Sequence, residues 1–279
     1  LLAVMVLPLT AIPAAAAYVG LDSSSGYVGE DIEIWGEEFE PDTEYRIYFP
    51  SDWEDFDDDE YEDIVYDTDS YGEFWESFEV PELPAGTYEI TIEGTTEGGG
   101  SWDDEISFTI LPEVTVSSTK VKVGETIEVS GTGFGYREEV TIFLDDNDNY
   151  EVTEDTDSSG TFEDVSFTVP EAPIGSHDLI ADDGDNEDEI SITIEPKVEV
   201  SDTDAAIGDT ITVSGTGFEA SSDITFYFDD EELEETARTN SYGTIPDTKI
   251  VIPPVLSGDH TLEVIDADNN SVELTITTI

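Results

Sequence analysis

The 279-residue chain has no cysteine, one methionine, two histidines, and only seven basic residues against 71 acidic ones. Each shortage excludes something. Without cysteine there is no disulfide framework, no thiolate metal centre and no thiol nucleophile. Phosphate backbones and anionic headgroups are bound by clustered Lys and Arg. At a formal charge of −64, nucleic acid is therefore excluded as a partner and an anionic membrane surface is disfavoured. Apolar residues are not scarce. A hydrophobic fraction of 37%, with 10% aromatics, is enough to build packed cores, so acidity alone does not imply disorder.

Long apolar runs are also rare. The stretch LLAVMVLPLTAIPAAAA at residues 1–17 is short, carries Pro8 and Pro13, and ends in small residues. It fits the apolar region and cleavage site of a secretory signal better than a membrane span. No initiator Met and no basic segment precede it. The expectation is a signal-peptide remnant, an exported chain that is extracellular or at the cell surface, and membrane attachment only through an anchor outside this sequence.

What is present is repetition. VSGTGF occurs at Val129–Phe134 and again at Val213–Phe218, with a degraded copy, IWGEEF, at Ile34–Phe39. Aligning these copies brings the rest into register. DTDSYGEF (Asp67–Phe74), DTDSSGTF (Asp155–Phe162) and RTNSYGTI (Arg238–Ile245) follow. Then come VPELPAGTYEI (Val80–Ile90), VPEAPIGSHDL (Val169–Leu179) and IPPVLSGDHTL (Ile252–Leu262). Each copy closes on an alternating stretch such as EISFTI or EISITI. In ETIEVSG, Ile127 and Val129 alternate with Glu128 and Ser130, the period of a strand with one buried face. Gly, Asn, Asp and Ser clusters punctuate such runs at sandwich-like intervals. EELEETA at Glu231–Ala237 is the only helical candidate, and it is short.

The predicted fold is all-β: three tandem immunoglobulin-like β-sandwich domains of about seven strands each. The boundaries fall near Pro112 and Pro196, giving 18–112 with an acidic aromatic insertion, 113–196 and 197–279. The succession G-x-x-I-x-V-S-G-T-G-F, T-D-S-x-G-x-F and V-P-x-x-x-x-G-x-H resembles the IPT/TIG-like and related immunoglobulin-like repeats of bacterial and archaeal cell-surface proteins. The resemblance implies extracellular stalks, surface-layer subunits, adhesins or spacers of secreted enzymes. The first copy departs most from it.

The VSGTGF corner has a structural reading: Gly131 and Gly133 supply backbone freedom and Phe134 plugs the sandwich end. A phosphate loop needs a following Lys and a helix, and neither is there. His177 and His260 share one repeat position, which is Tyr88 in the first copy. A position that accepts His or Tyr is structural, and two histidines in separate domains do not make one triad or metal site. Carboxylate pairs abound, but nothing marks one pair out of 71 acids, so no enzyme is expected.

Two readings stand for the acidic segments. Asp67 and Asp69, and Asp155 and Asp157, place hard oxygens at alternating positions before a turn glycine, as Ca²⁺ requires, yet a hairpin turn explains the same residues. Asp145, Asp146 and Asp148, with Asp183 and Asp185, sit in acidic loops that could share a cation or be solvated surface. Ser51–Asp63 is the main insertion. Its Trp53, Phe56 and Tyr61 either anchor a glycan or protein partner or fold back onto their own domain. Asn269 begins a glycosylation sequon in the last expected hairpin turn.

The leading expectation is a non-catalytic structural protein of a prokaryotic envelope, a surface-layer, stalk or filament-type subunit stabilised by cations or salt. Its partners are neighbouring copies or other envelope proteins. The alternative is an adhesin or a carbohydrate-binding accessory module of a larger secreted protein. Self-repulsion at this charge opposes compaction at low ionic strength. The melting temperature should therefore rise steeply between about 0.1 M salt, where the Debye length is about 10 Å, and about 1 M, where it is about 3 Å. A melting temperature indifferent to both NaCl and millimolar Ca²⁺ in calorimetry would contradict this.

Overall fold

The computed structural model describes residues 16–50, 64–145 and 150–279. No helix occurs among them. By contacts they fall into two compact units. One is the chain up to Glu113 together with Thr132–Arg137 and Asp157–Thr161; the other comprises Val114–Gly131, Glu138–Thr156 and Phe162–Ile279.

The sheets repeat three times. Each repeat pairs a three-stranded sheet with a five-stranded one, so the described residues give eight strands per repeat rather than seven. In the first, Asp31–Glu37 lies between Tyr18–Leu21 and Phe74–Glu79, all antiparallel. The five-stranded sheet runs Ser25–Gly26, Gly100–Ile110, Gly86–Thr96, Glu44–Tyr48 and Ile64–Asp67. The third repeat copies this with Lys197–Val200, Thr210–Thr216 and Ile245–Val251 in the smaller sheet. The additional strand has a simple origin. After the first strand the chain crosses to the other sheet, and two residues (Ser25–Gly26, Lys120–Val121 or Asp204–Ala205) pair parallel with the final strand.

The alternation seen in the sequence is the burial pattern. In Thr210–Thr216, Ile211, Val213 and Gly215 are buried and their neighbours are not. The third core is built from Ile211, Val213, Phe218, Ile224, Phe226, Ile250, Leu262, Val264 and Ile276. The first is richer in rings: Tyr45 stacks on Phe74 with centroids 4.1 Å apart, and Trp102 meets Phe39 edge-on at 5.1 Å. Glu231–Ala237 is not helical but belongs to the edge strand Glu231–Arg238. Its Leu233 and Ala237 pack against the core at period two, and the strand partner Asp223–Phe228 decides what a short local propensity could not.

Within VSGTGF the two glycines serve different ends. Gly133 and Gly217 have φ of +66° and +68°, the left-handed region expected of a corner. The preceding glycine does not take a positive φ, which corrects the reading of Gly131 as a source of backbone freedom. It provides room instead: a Cβ on Gly215 would lie 3.1 Å from the Phe218 ring, and one on Gly36 2.8 Å from Phe39 and 2.2 Å from Phe74. The first repeat puts Glu38 at the left-handed position, with φ +64°. In the other two a linker carbonyl is close, because a Cβ on Gly133 would stand 2.4 Å from Leu111 O and one on Gly217 2.7 Å from Glu195 O.

The turn glycine is still more confined. Gly72, Gly160 and Gly243 have positive φ, and a Cβ on each would fall 2.0–2.1 Å from the carbonyl oxygen of Phe39, Phe134 or Phe218. Gly208 has a similar φ, +85°, with nothing within 4 Å. Gly208→Ala should thus cost about 1–2 kcal/mol, the left-handed penalty alone. Gly243→Ala should cost a further ~2 kcal/mol, the scale of overpacking against atoms that do not yield. Urea titrations of both variants at fixed high salt check this; equal costs would mean that the close approach adds nothing.

Candidate functional site at the repeat corners

Three sequence blocks of each repeat build the corners. The Phe of the VSGTGF block closes on the turn glycine: Phe39 N–H donates to Gly72 C=O (3.1 Å), Phe134 to Gly160 (3.0 Å) and Phe218 to Gly243 (3.1 Å). The phenyl rings are fully buried. The D-T-D-S-x-G block forms the turn itself. Asp69 Oδ1 accepts from the N–H groups of Tyr71 (2.8 Å) and Glu73 (2.9 Å), and Asn240 Oδ1 from those of Tyr242 and Thr244. Asp157 Oδ1 accepts from Ser159 N–H and hydroxyl and from Thr161 N–H. Partial burial pushes the Asp157 carboxyl upward, but the Ser159 hydroxyl and the two N–H groups outweigh it and hold the pKa below the usual value.

The sequence reading missed the threonine inside this block. Thr68 and Thr239 are buried; their hydroxyls donate to Glu40 C=O (2.7 Å) and Glu219 C=O (2.6 Å) and accept from Thr43 and Ser222 N–H. The signal was available, since Thr, Ser and Gly are what DTDSYG, DTDSSG and RTNSYG share.

The third block supplies a loop and its latch. Tyr88 Oη donates to Pro84 C=O (2.8 Å), His177 Nε2 bonds Pro173 C=O (2.8 Å), and His260 Nε2 bonds Leu256 C=O (2.7 Å). In the histidines the other nitrogen meets a carboxylate, His177 Nδ1 with Asp145 Oδ2 at 2.8 Å and His260 Nδ1 with Asp229 Oδ2. Both partners of His260 are acceptors, which requires a proton on each nitrogen. The Asp229 carboxylate, then the Leu256 carbonyl, hold the His260 pKa above its ordinary value. Thr261 N–H and the imidazole hold Asp229 below its own.

The latched loop ends in a main-chain donor that sequence reasoning did not identify. Within the first compact unit, Ala85 N–H donates to Phe134 C=O (3.0 Å). Within the second, Ile174 N–H donates to Phe218 C=O (3.1 Å). Ala85 and Ile174 occupy one repeat position, and so do their acceptors. In the first unit Glu82 Oε1 also accepts from Thr161 Oγ1 (2.8 Å), which together with Ser159 is buried. The corner carbonyl thus receives the loop of the preceding repeat.

The remaining expected site residues are placed as follows. Asp67 and Asp155 end strands and stand opposite Glu44 and Glu139, a like-charge pairing that destabilises a sheet in low salt. The third repeat has Arg238 there, ion-paired with Asp223. Asp145, at φ +51°, uses its second oxygen to accept from Asp178 N–H. Asp183 accepts from the N–H groups of Asp185 and Asn186 and from the Asn186 amide, so it closes its own hairpin. Among the described residues no three His, Asp or Glu side chains gather as a metal ligand set. Asn269 is exposed in the turn between Gly258–Asp266 and Ser271–Thr278, at φ +68°. Trp53, Phe56, Tyr61, Asp146 and Asp148 lie outside the described residues.

Residues 191–278 match the IPT/TIG domain family. Among solved structures, a tetra-tandem repeat in the extending region of a large adhesion protein is 16% identical over 94% of this chain and 72% of its own, with a TM-score of 0.30. The Bacteroides ovatus mixed-linkage glucan utilization locus protein SGBP-B is 15% identical over 91% of this chain and 66% of its own, with a TM-score of 0.29. The Escherichia coli adhesin FdeC is 10% identical over 95% and 98%, with a TM-score of 0.26. No match is found among curated proteins.

The latch can be tested residue by residue. In an NMR titration His260 should have a midpoint above 6.5, so its stabilisation is complete below 6.5 and fades as pH rises through the folded-state value. A midpoint at or below 6.5 contradicts the double acceptor geometry. His177→Ala should cost about 1 kcal/mol, typical of a lost hydrogen bond. His177→Tyr, which reproduces the arrangement of the first repeat, should cost less.

Proposed function

We propose that this chain is a non-catalytic structural segment of an extracellular prokaryotic envelope protein, of the surface-layer, stalk or filament type, with domains at 18–112, 113–196 and 197–279. The observation that carries this reading is the main-chain bond found at the second and third corners, Ala85 N–H to Phe134 C=O and Ile174 N–H to Phe218 C=O. A binding loop on a flexible tether has no need of such a bond, whereas a stiff array of repeats does, since each repeat in such an array is stabilised by its neighbours. The acidic strand pairs, with Glu44 opposite Asp67 and Glu139 opposite Asp155, need external cations to approach another copy. Calcium is the proposed ion, with neighbouring copies or other envelope proteins as partners.

Two measurements test the proposal. Light scattering should show assembly of the chain when millimolar Ca²⁺ is added. A chain that stays monomeric with or without the ion counts against a lattice or filament role. Ile174→Pro removes the donor N–H, with Ile174→Ala, which keeps it, as the control for the lost side chain, and should increase motion between the flanking strands in ¹⁵N relaxation. Unchanged relaxation would mean that the bond does not stiffen the joint.

A second reading, the adhesin or carbohydrate-binding module, is favoured by one observation: the first repeat leaves Trp75 and Tyr18 exposed on a sheet face.

A further inference from the structure

The outer face of the sheet formed by Tyr18–Leu21, Asp31–Glu37 and Phe74–Glu79 differs from its two counterparts. In the first repeat it carries Tyr18, Gly20, Trp35 and Trp75; the equivalent positions are Glu113, Thr115, Ser130 and Glu163, then Lys197, Glu199, Ser214 and Pro246. Four polar or non-aromatic positions become three aromatic rings and a glycine. The glycine has a reason to be there. A Cβ on Gly20 would lie 2.5 Å from the Trp35 indole, so only glycine lets that ring settle over the strand.

Backbone register makes the same distinction. In the other two repeats the ladder is interrupted at this point, between Val129 and Gly131 and between Val213 and Gly215. Asp164, at φ +51°, takes up the extra residue in the second repeat. The first repeat has no interruption, and Trp35 stands directly opposite Trp75. Tyr18 meets Trp35 edge-on, with centroids 5.8 Å apart at 86°. Trp75 remains 55% exposed and Tyr18 44%. Packing of the first core does not need these rings, because the inward positions Ile32, Ile34, Phe74 and Phe78 already fill it.

The surroundings restrict what such a face can hold. The Tyr18 hydroxyl donates to Glu37, and Glu38 and Glu73 lie near enough to add to the field at that hydroxyl. Glu33 is on the same face, opposite Ser77. Carboxylates repel phosphate, sulfate and uronate groups but accept hydrogen bonds from neutral hydroxyls. Indole faces carry negative charge density that attracts polarised C–H groups. A ligand with a C–H face and a rim of hydroxyl donors meets both conditions.

We propose that the Tyr18–Trp35–Trp75 face is a stacking platform for a neutral carbohydrate, with Glu33 and Glu37 accepting hydrogen bonds from its hydroxyls. The inference rests on the second reading above and leaves the structural reading untouched, since the platform shares no residue with the latch.

The test is calorimetric titration of the full chain with neutral oligosaccharides of glucose, mannose and galactose in about 2 M NaCl, where charge attraction is screened to a few ångströms. At least one sugar should bind. Trp75→Ala should weaken it by about tenfold or more, as expected for a lost ring contact. Trp35→Ser, which restores the residue of the other two repeats, should do the same. Circular dichroism melting of both variants shows whether the sandwich is intact. Failure of every sugar to bind would overturn the proposal, as would binding that survives both substitutions in folded protein. Binding lost in Trp53→Ala but kept in Trp75→Ala would move the site to the Ser51–Asp63 insertion and overturn the platform while keeping the module. Binding of tetramethylammonium in place of any sugar at this ionic strength would assign the rings to a cation and overturn it as well.

Discussion

The fold depends on one close approach, that of Gly72, Gly160 and Gly243 to the main chain of Phe39, Phe134 and Phe218. A Cβ would stand about 2 Å from the Phe oxygen in all three, and the Phe N–H is bonded to the glycine carbonyl. That contact fixes the D-T-D-S-x-G turn against the corner and turns the phenyl ring inward. It also sets the Phe carbonyl oxygen against the turn glycine. Once the carbonyl is so placed, it can take the N–H of Ala85 or Ile174, and the latch at Tyr88 or His177 holds the loop in reach.

Electrostatics acts against all of this. The sheets place carboxylates opposite one another at Glu44–Asp67 and Glu139–Asp155, and seven cations cannot neutralise 71 acids. Several acids are relieved locally. Asp69, Asp157 and Asp183 accept hydrogen bonds from backbone N–H groups, and at Asp157 these favour the charged form. The others depend on the medium, so compactness here is a property of the chain and its salt together.

Most of the architecture was legible in the sequence because it is written in side chains. Alternation in ETIEVSG gave the strand, and the shared His/Tyr position gave a structural role that the Pro84, Pro173 and Leu256 carbonyls explain. The corner bond was not legible, for a physical reason: its donor is a main-chain N–H, so Ala85 and Ile174 need share no side-chain chemistry. Gly131 was misjudged because a pattern of letters does not separate a glycine that needs φ freedom from one that needs space. The pairing of Trp35 with Trp75 was hidden too. It exists only because the first repeat lacks the register shift of the other two, whereas Trp102 packs on Phe39.

Glu38 has one last consequence. At the position where the second and third repeats must keep glycine beside a linker carbonyl, the first repeat carries a side chain. The three sandwiches are therefore not interchangeable modules. Beside a linker placed as Leu111 or Glu195 is, the Glu38 Cβ would meet its carbonyl oxygen, so a single residue sets the first sandwich apart from the other two in an otherwise periodic chain.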